Sequence, residues 1–213
     1  MVNYFVVMAP WEKFFNEKIS RIFNEKKFVV DIGGGLRILK NKGNRYDESK
    51  KWIFDLMVKN GVGYRVLDPT PDYNPDIIGD IHNLPFADNS QDAIICIAVL
   101  EHVENPAKAC REMHRVLKLG GYCFVYLPFL YYYHAEKGYY RDYWRFTKDS
   151  IDFLFKDFSV IEKQNIRGAI GTWLHLSPFG RLGFLVKAAN FMDIILKKID
   201  SNSVSGYSIF LIK

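Results

Sequence analysis

The chain has 213 residues, 49% of them hydrophobic and 25% charged, which suits one sizeable globular domain and excludes disorder over most of its length. A net charge of +5 comes from lysines and arginines dispersed among acids, so a dedicated nucleic-acid binder, with its clustered basic face, is disfavoured. No uninterrupted apolar run approaches the ~18 residues of a membrane span, and the start MVNYFVVMAPWEK lacks the basic segment of a signal peptide. The expectation is a cytoplasmic protein.

From Pro10 to Asn24, Trp11, Phe14, Phe15, Ile19, Ile22 and Phe23 recur at helical spacing behind an N-terminal proline, which predicts an amphipathic helix within the segment 1–26. KKFVVDI reads as a buried strand. DESKKWIFDLMVKNG reads as a helix capped by Asp47 and stopped at Gly61. YRVLD is the next strand, PTPDYNP a proline-punctuated loop, and DIIGD a short third strand. QDAIICIAVL is a continuous apolar run, as for a strand covered on both faces. In NPAKACREMHRVLKLGG, Asn105 caps a helix, Pro106 opens it and Gly120 stops it. Then come a fifth strand in GYCFVYLP, a helix capped by Thr147 in TKDSIDFLFKD, a sixth strand in FSVIEKQ and a seventh in GYSIFLIK. Strands alternating with helices predict an α/β fold, a largely parallel sheet covered on both faces. Cys96, Cys110 and Cys123 are odd in number and lack ligand spacing, so they are read as free core residues, and no metal site is expected.

Ligands in such folds bind beyond the carboxyl ends of the strands, where strand order reverses. Asp31, Gly33, Gly34 and Gly35 follow the first strand, and glycine lets a backbone turn sharply and a ligand approach closely. The dinucleotide pattern GxGxxG would need glycine at position 38, where Ile38 stands. Asp68 ends the second strand; its carboxylate can accept both hydroxyls of a ribose or cap the following turn. Asp80 follows the third and can accept an adenine amine, with the backbone of Ile81 at the ring edge.

VVDIGGG, VLD, GDIHNLPFADNSQDAIICIAVLEHV and ACREMHRVLKLGGYCFVYLP resemble, in order, the motifs of class I S-adenosylmethionine-dependent methyltransferases of the type 11 kind. The resemblance covers about residues 28–128. It implies a Rossmann-like three-layer sandwich, a single methyltransferase domain over 1–213 with a seven-stranded, mostly parallel sheet and an antiparallel last strand. It also implies S-adenosyl-L-methionine as cofactor and S-adenosyl-L-homocysteine as product. Asp31, Gly33, Gly34 and Gly35 would then lie at the methionine part, Asp68 at the ribose, Asp80 and Ile81 at the adenine, with Ala98 offering its backbone near the cofactor amine. The family's usual third glycine is replaced by Arg37, and the loop 36–46 is long enough to serve as a cofactor lid or as a plain connection.

Methyl transfer needs a base only if the acceptor must lose a proton. The aromatic segment 129–147 is read as a substrate lid, and within it His134 is the candidate base. Asp142 would orient it or act itself, and Arg145 would anchor an anionic group or pair with Asp142. His102 is read as positioning, and Glu101 and Glu104 lack companions in sequence. The helical insertion 167–200 has a narrow polar stripe through Lys187, Asn190, Asp193 and Lys197. Burial over the sheet or in a homodimer competes with a peripheral membrane contact through 181–199. The function expected is methyl transfer to a small molecule, by an enzyme monomeric or homodimeric. Oxygen is preferred as acceptor atom, and a surface-polysaccharide sugar or lipid-linked intermediate is one substrate class. An RNA-modifying enzyme and a non-catalytic cofactor-binding subunit are the alternatives.

Overall fold

A computed structural model describes residues 8–42 and 46–213. The first seven residues of the segment 1–26, and 43–45 of the loop 36–46, lie outside the described residues. The strands are β1 (Phe28–Ile32), β2 (Gly63–Asp68), β3 (Ile77–Ile78), β4 (Gln91–Ile97), β5 (Leu117–Pro128), β6 (Val160–Ile166) and β7 (Gly206–Ile212). They form one seven-stranded sheet in the order β3-β2-β1-β4-β5-β7-β6. The first five run parallel, and β7 pairs antiparallel with both β5 and β6. The expected Rossmann-like architecture with an antiparallel last strand is therefore present.

Period-two alternation splits the apolar residues between two cores. Ala93, Ile95, Tyr122, Phe124 and Phe210 face one side with Ile19, Ile22 and Phe23 of helix α1 (Pro10–Glu25) and Ile53 of α2 (Lys51–Lys59). Ile94, Cys96, Cys123, Val125, Ile209 and Leu211 face the other, against α3 (Pro106–Val116) and α4 (Lys148–Leu154). All three cysteines are free and buried.

Several boundaries differ from the sequence reading. The helix that opens at Asn105 ends at Val116 rather than Gly120. Leu117 is fully buried and pairs with Gln91, so the chain enters β5 early and passes Gly120 (φ 70°) at a register shift. The fourth strand stops at Ile97 because Ala98 turns left-handed at φ 55°. Asp47 caps a single 3-10 turn, Glu48–Lys50, which leads into α2. Between β6 and β7 lie α5 (Ala169–Leu176) and α6 (Gly183–Ile195), so their pairing closes a long excursion rather than a tight hairpin.

The excursion also corrects the reading of its polar stripe. Asp193 is fully buried and accepts from the backbone N–H groups of Gly168, Ile170 and Gly171, which open α5. Trp173, Phe179, Phe184, Phe191 and Ile195 face outward instead. The carboxylate satisfies helix N–H groups that would otherwise be orphaned, and this holds α6 with its apolar surface exposed rather than over the sheet.

Candidate active site

Strand order reverses between β1 and β4, and the crevice beyond their carboxyl ends is where such a fold takes a ligand. Asp31 is fully buried at the end of β1. It accepts from Gly35 N (3.2 Å), Leu36 N (2.9 Å) and the Tyr64 hydroxyl (2.5 Å). Burial pushes its carboxyl up to about 7, against the pull of these bonds. Asp31 thus fixes the glycine turn. Gly33 and Gly34 lie at φ 77° and 61°, and a Cβ on Gly33 or Gly35 would stand 2.6 Å from Val99 or Ile97 respectively. The turn consequently sits directly on the end of β4. Arg37, where the family keeps glycine, holds the left-handed backbone glycine favours (φ 58°) and is exposed.

Asp68 is buried, and its Oδ1 accepts from Thr70 N at 2.8 Å. Burial raises its pKa and the bonds from Thr70 oppose this. Asp80 is exposed, bonded by His82 N (2.9 Å) and by His82 Nδ1 (2.8 Å). Partial burial opposes its charge, yet His82 holds its pKa below the usual carboxylate value. His82 Nε2 in turn accepts from Asn105 N at 3.3 Å, so this histidine, which had no partner pattern in sequence, orients Asp80 from the start of α3. Ile81 is buried beside it. Ala98 N donates to Tyr126 O at 3.3 Å, and its left-handed φ is a strained conformation for a residue with a Cβ.

The segment 129–147 is stitched over these ends. Tyr143 N and Trp144 N donate to Glu101 O (2.8 and 3.2 Å), Trp144 Nε1 to Val103 O (2.8 Å), and the Tyr139 ring stacks on Tyr73 beyond β2. Within it, Asp142 has a fully buried side chain and receives both guanidinium nitrogens of Arg145, at 2.6 and 2.8 Å, plus His134 N at 2.8 Å. Arg145 holds its carboxyl down to about 2, which suits a fixed counter-ion. Arg145 also donates to the carbonyls of Tyr131, Tyr132 and Trp144. All five of its N–H donors are then used, and of the two expected roles, anionic anchor or partner of Asp142, this geometry shows the pairing.

His134 Nδ1 lies 3.1 Å from Tyr132 O and 3.2 Å from Asp142 Oδ2, while Nε2 stands 3.7 Å from Glu101 Oε1. Glu101 raises the His134 pKa, against partial burial. His102 bonds Arg141 O through Nδ1 at 2.6 Å and stands edge-on to His134, ring centroids 4.8 Å apart. Glu101, which has no companions in sequence, thus gains two histidines in space. A cavity of about 360 Å³, also absent from the sequence reading, opens between Trp11 and Phe15 of α1, Lys50, Trp52 and the strand ends at Ile97 and Tyr126.

Fold and strand ends together resemble those of class I S-adenosylmethionine-dependent methyltransferases. Residues 64–125 match the type 11 family model described as a methyltransferase domain. An S-adenosylmethionine-dependent methyltransferase from Archaeoglobus fulgidus superposes with a TM-score of 0.59 over 94% of either chain, at 13% identity. Phosphoethanolamine N-methyltransferase 2 of Haemonchus contortus, solved with S-adenosyl-L-methionine, superposes over 94% of this chain and 52% of its own, with a TM-score of 0.55 and 13% identity. Among curated proteins, demethylmenaquinone methyltransferase of Paenarthrobacter aurescens is 56% identical over 45 residues, 21% of this chain and 18% of its own. An uncharacterized protein of Methanocaldococcus jannaschii is 35% identical over 89 residues, 41% of this chain and 31% of its own. The chain spans less than a third of the length of these curated relatives.

Proposed function

We propose that the chain transfers a methyl group from S-adenosyl-L-methionine to an oxygen of a small, largely apolar molecule. The observation that carries this reading is the ordered set of strand-end groups around one crevice: the Asp31-held glycine turn, Asp68, Asp80 with Ile81, and the strained Ala98. They fit the cofactor, because a turn without Cβ atoms suits the methionine portion, Asp68 the ribose, and Asp80 the adenine amine. When bound, the cofactor supplies an electrophilic methyl on its sulfonium. The cavity under Trp11, Phe15 and Trp52 offers the acceptor an aromatic bed. Holding the two reactants in line is the protein's main contribution. A hydroxyl acceptor also has to lose its proton, and His134 is the candidate base for it, its ring oriented by Tyr132 O and Asp142. A lipid-linked acceptor is favoured by the outward apolar face of α5 and α6, where Asp193, the one acid between 167 and 199, is buried while Arg181, Lys187, Lys197 and Lys198 are exposed.

Calorimetry tests the cofactor reading. S-adenosyl-L-methionine binds the wild-type protein, and Asp68→Ala weakens binding by roughly 10- to 100-fold, the loss of charged hydrogen bonds worth about 1.5–3 kcal/mol. Absence of binding to the wild type overturns the proposal, and unchanged affinity in the variant removes the ribose role.

A further inference from the structure

Three side chains beside the crevice turn ligand-type atoms toward one another. Glu101 is fully buried, and neither of its carboxylate oxygens has a hydrogen-bond partner. Its Oε1 faces His134 Nε2 at 3.7 Å and His102 Nε2 at 3.9 Å. In each ring the other nitrogen fixes the tautomer. His102 Nδ1 stands 2.6 Å from Arg141 O and His134 Nδ1 3.1 Å from Tyr132 O. A carbonyl only accepts, so both Nδ1 atoms carry a hydrogen, and in the neutral rings both Nε2 atoms point bare toward the carboxylate. A buried, unpaired carboxylate is costly by several kcal/mol. The arrangement is completed by a cation.

We propose that Glu101, His102 and His134 bind a divalent transition-metal ion of the zinc type through Oε1 and the two Nε2 atoms. The three donor atoms lie within 4.8 Å of one another, and bonds of ~2.0–2.1 Å would hold them ~3.4 Å apart in a tetrahedral site. The Glu101–His134 and Glu101–His102 pairs therefore close by about half an ångström or less, and the two Nε2 atoms by up to about 1.4 Å. Hydrogen bonds from the distal ring nitrogen to a carbonyl, here with Asp142 Oδ2 also 3.2 Å from His134 Nδ1, are what metal-ligating histidines require to hold tautomer and angle. Two imidazoles with one carboxylate select zinc, ferrous or manganous ions over magnesium and calcium, which take mostly oxygen ligands. Three protein ligands leave a coordination position open. An acceptor hydroxyl there would lose its proton to solvent more readily, with His134 then a ligand instead of the base. That last consequence rests on the methyltransferase reading; the binding of the ion does not.

The test is titration of chelator-stripped protein with zinc chloride by calorimetry and with cobalt chloride by visible absorption, both without cofactor. One ion binds per chain, and cobalt gives the d–d bands of a nitrogen and oxygen site of low coordination number. His102→Gln and His134→Gln each weaken binding by about 100-fold or more through loss of a ligand, while His175→Gln leaves it unchanged. Glu101→Gln separates binding from folding. Its amide can donate to a bare Nε2, so the variant keeps its near-ultraviolet circular dichroism and loses the ion. Equal affinity in the wild type and the His102→Gln/His134→Gln double variant overturns the proposal, as does the absence of any bound cobalt. Because S-adenosyl-L-methionine binding is measured separately, failure here leaves the cofactor reading standing, and failure there leaves this one.

Discussion

Asp142 shows what one buried carboxylate does to the acid stability of the segment 129–147. Its folded-state pKa lies at about 2 because Arg145 and His134 N bond its ionised form. A free aspartate titrates near ~3.9. The depressed value means that the stabilisation is fully present above about pH 4 and is lost as pH falls through about 2. At about 1.4 kcal/mol per pKa unit the contribution is about 2.5 kcal/mol. Asp142→Asn is therefore less stable than wild type by about that amount at pH 6, and the gap closes between about pH 4 and 2. Denaturant unfolding at stepped pH reads this directly, and a gap independent of pH would mean that the ion pair is not its source. His134, Asp142 and Arg145 were legible in the sequence as a group because they share one short aromatic stretch. Their division of labour was not. Only the fold brings the carbonyls of Tyr131, Tyr132 and Trp144 to Arg145, and Glu101 to His134 across 33 residues of chain.

At the scale of elements, α5 and α6 are where sequence and structure part most. A polar residue on a mostly apolar helix reads as the solvated stripe, but Asp193 faces inward to hold the first N–H groups of α5. The bond partners lie more than 20 residues away, so no local pattern reveals them. What the inversion leaves outside is an apolar surface carrying Phe184 and Phe191, edged by lysines and without an exposed acid between 167 and 199. No helix of the described residues is long and apolar enough to cross a membrane. A surface of this composition suits the interface of an anionic bilayer, where apolar burial and attraction to the headgroups add. The chain is expected to co-sediment with phosphatidylserine vesicles and much less with phosphatidylcholine alone. Phe184→Ser with Phe191→Ser should weaken the association at least about tenfold, at roughly 2 kcal/mol for each aromatic ring withdrawn from the apolar layer. Equal recovery of wild type and variant with the vesicles would assign the face to contact with a second copy or another protein instead.

Over the whole molecule, the sheet was legible because its signal is periodic. β4, β5 and β7 alternate strictly between two cores, and two helices between strands, α3 and α4, start at the cap residues Asn105 and Thr147. The cavity by α1 was not, since it is a space bounded by elements far apart in the chain. The crevice lies at the ends of four strands that belong to both cores, so a ligand there is coupled to the unfolding of the entire domain. A ligand that binds only the folded state at 100 times its dissociation constant adds about 2.7 kcal/mol to stability. For a domain of this size each kcal/mol moves the melting midpoint by about 2–4 °C. Saturating S-adenosyl-L-methionine should thus raise the midpoint by roughly 5–10 °C. Nicotinamide dinucleotide at the same concentration should leave it in place, because Ile38 occupies the position where a pyrophosphate-binding turn needs glycine. An equal rise with the dinucleotide would assign the crevice to a different cofactor, since the adenosine groups alone cannot distinguish the two and the methionine end of the turn must.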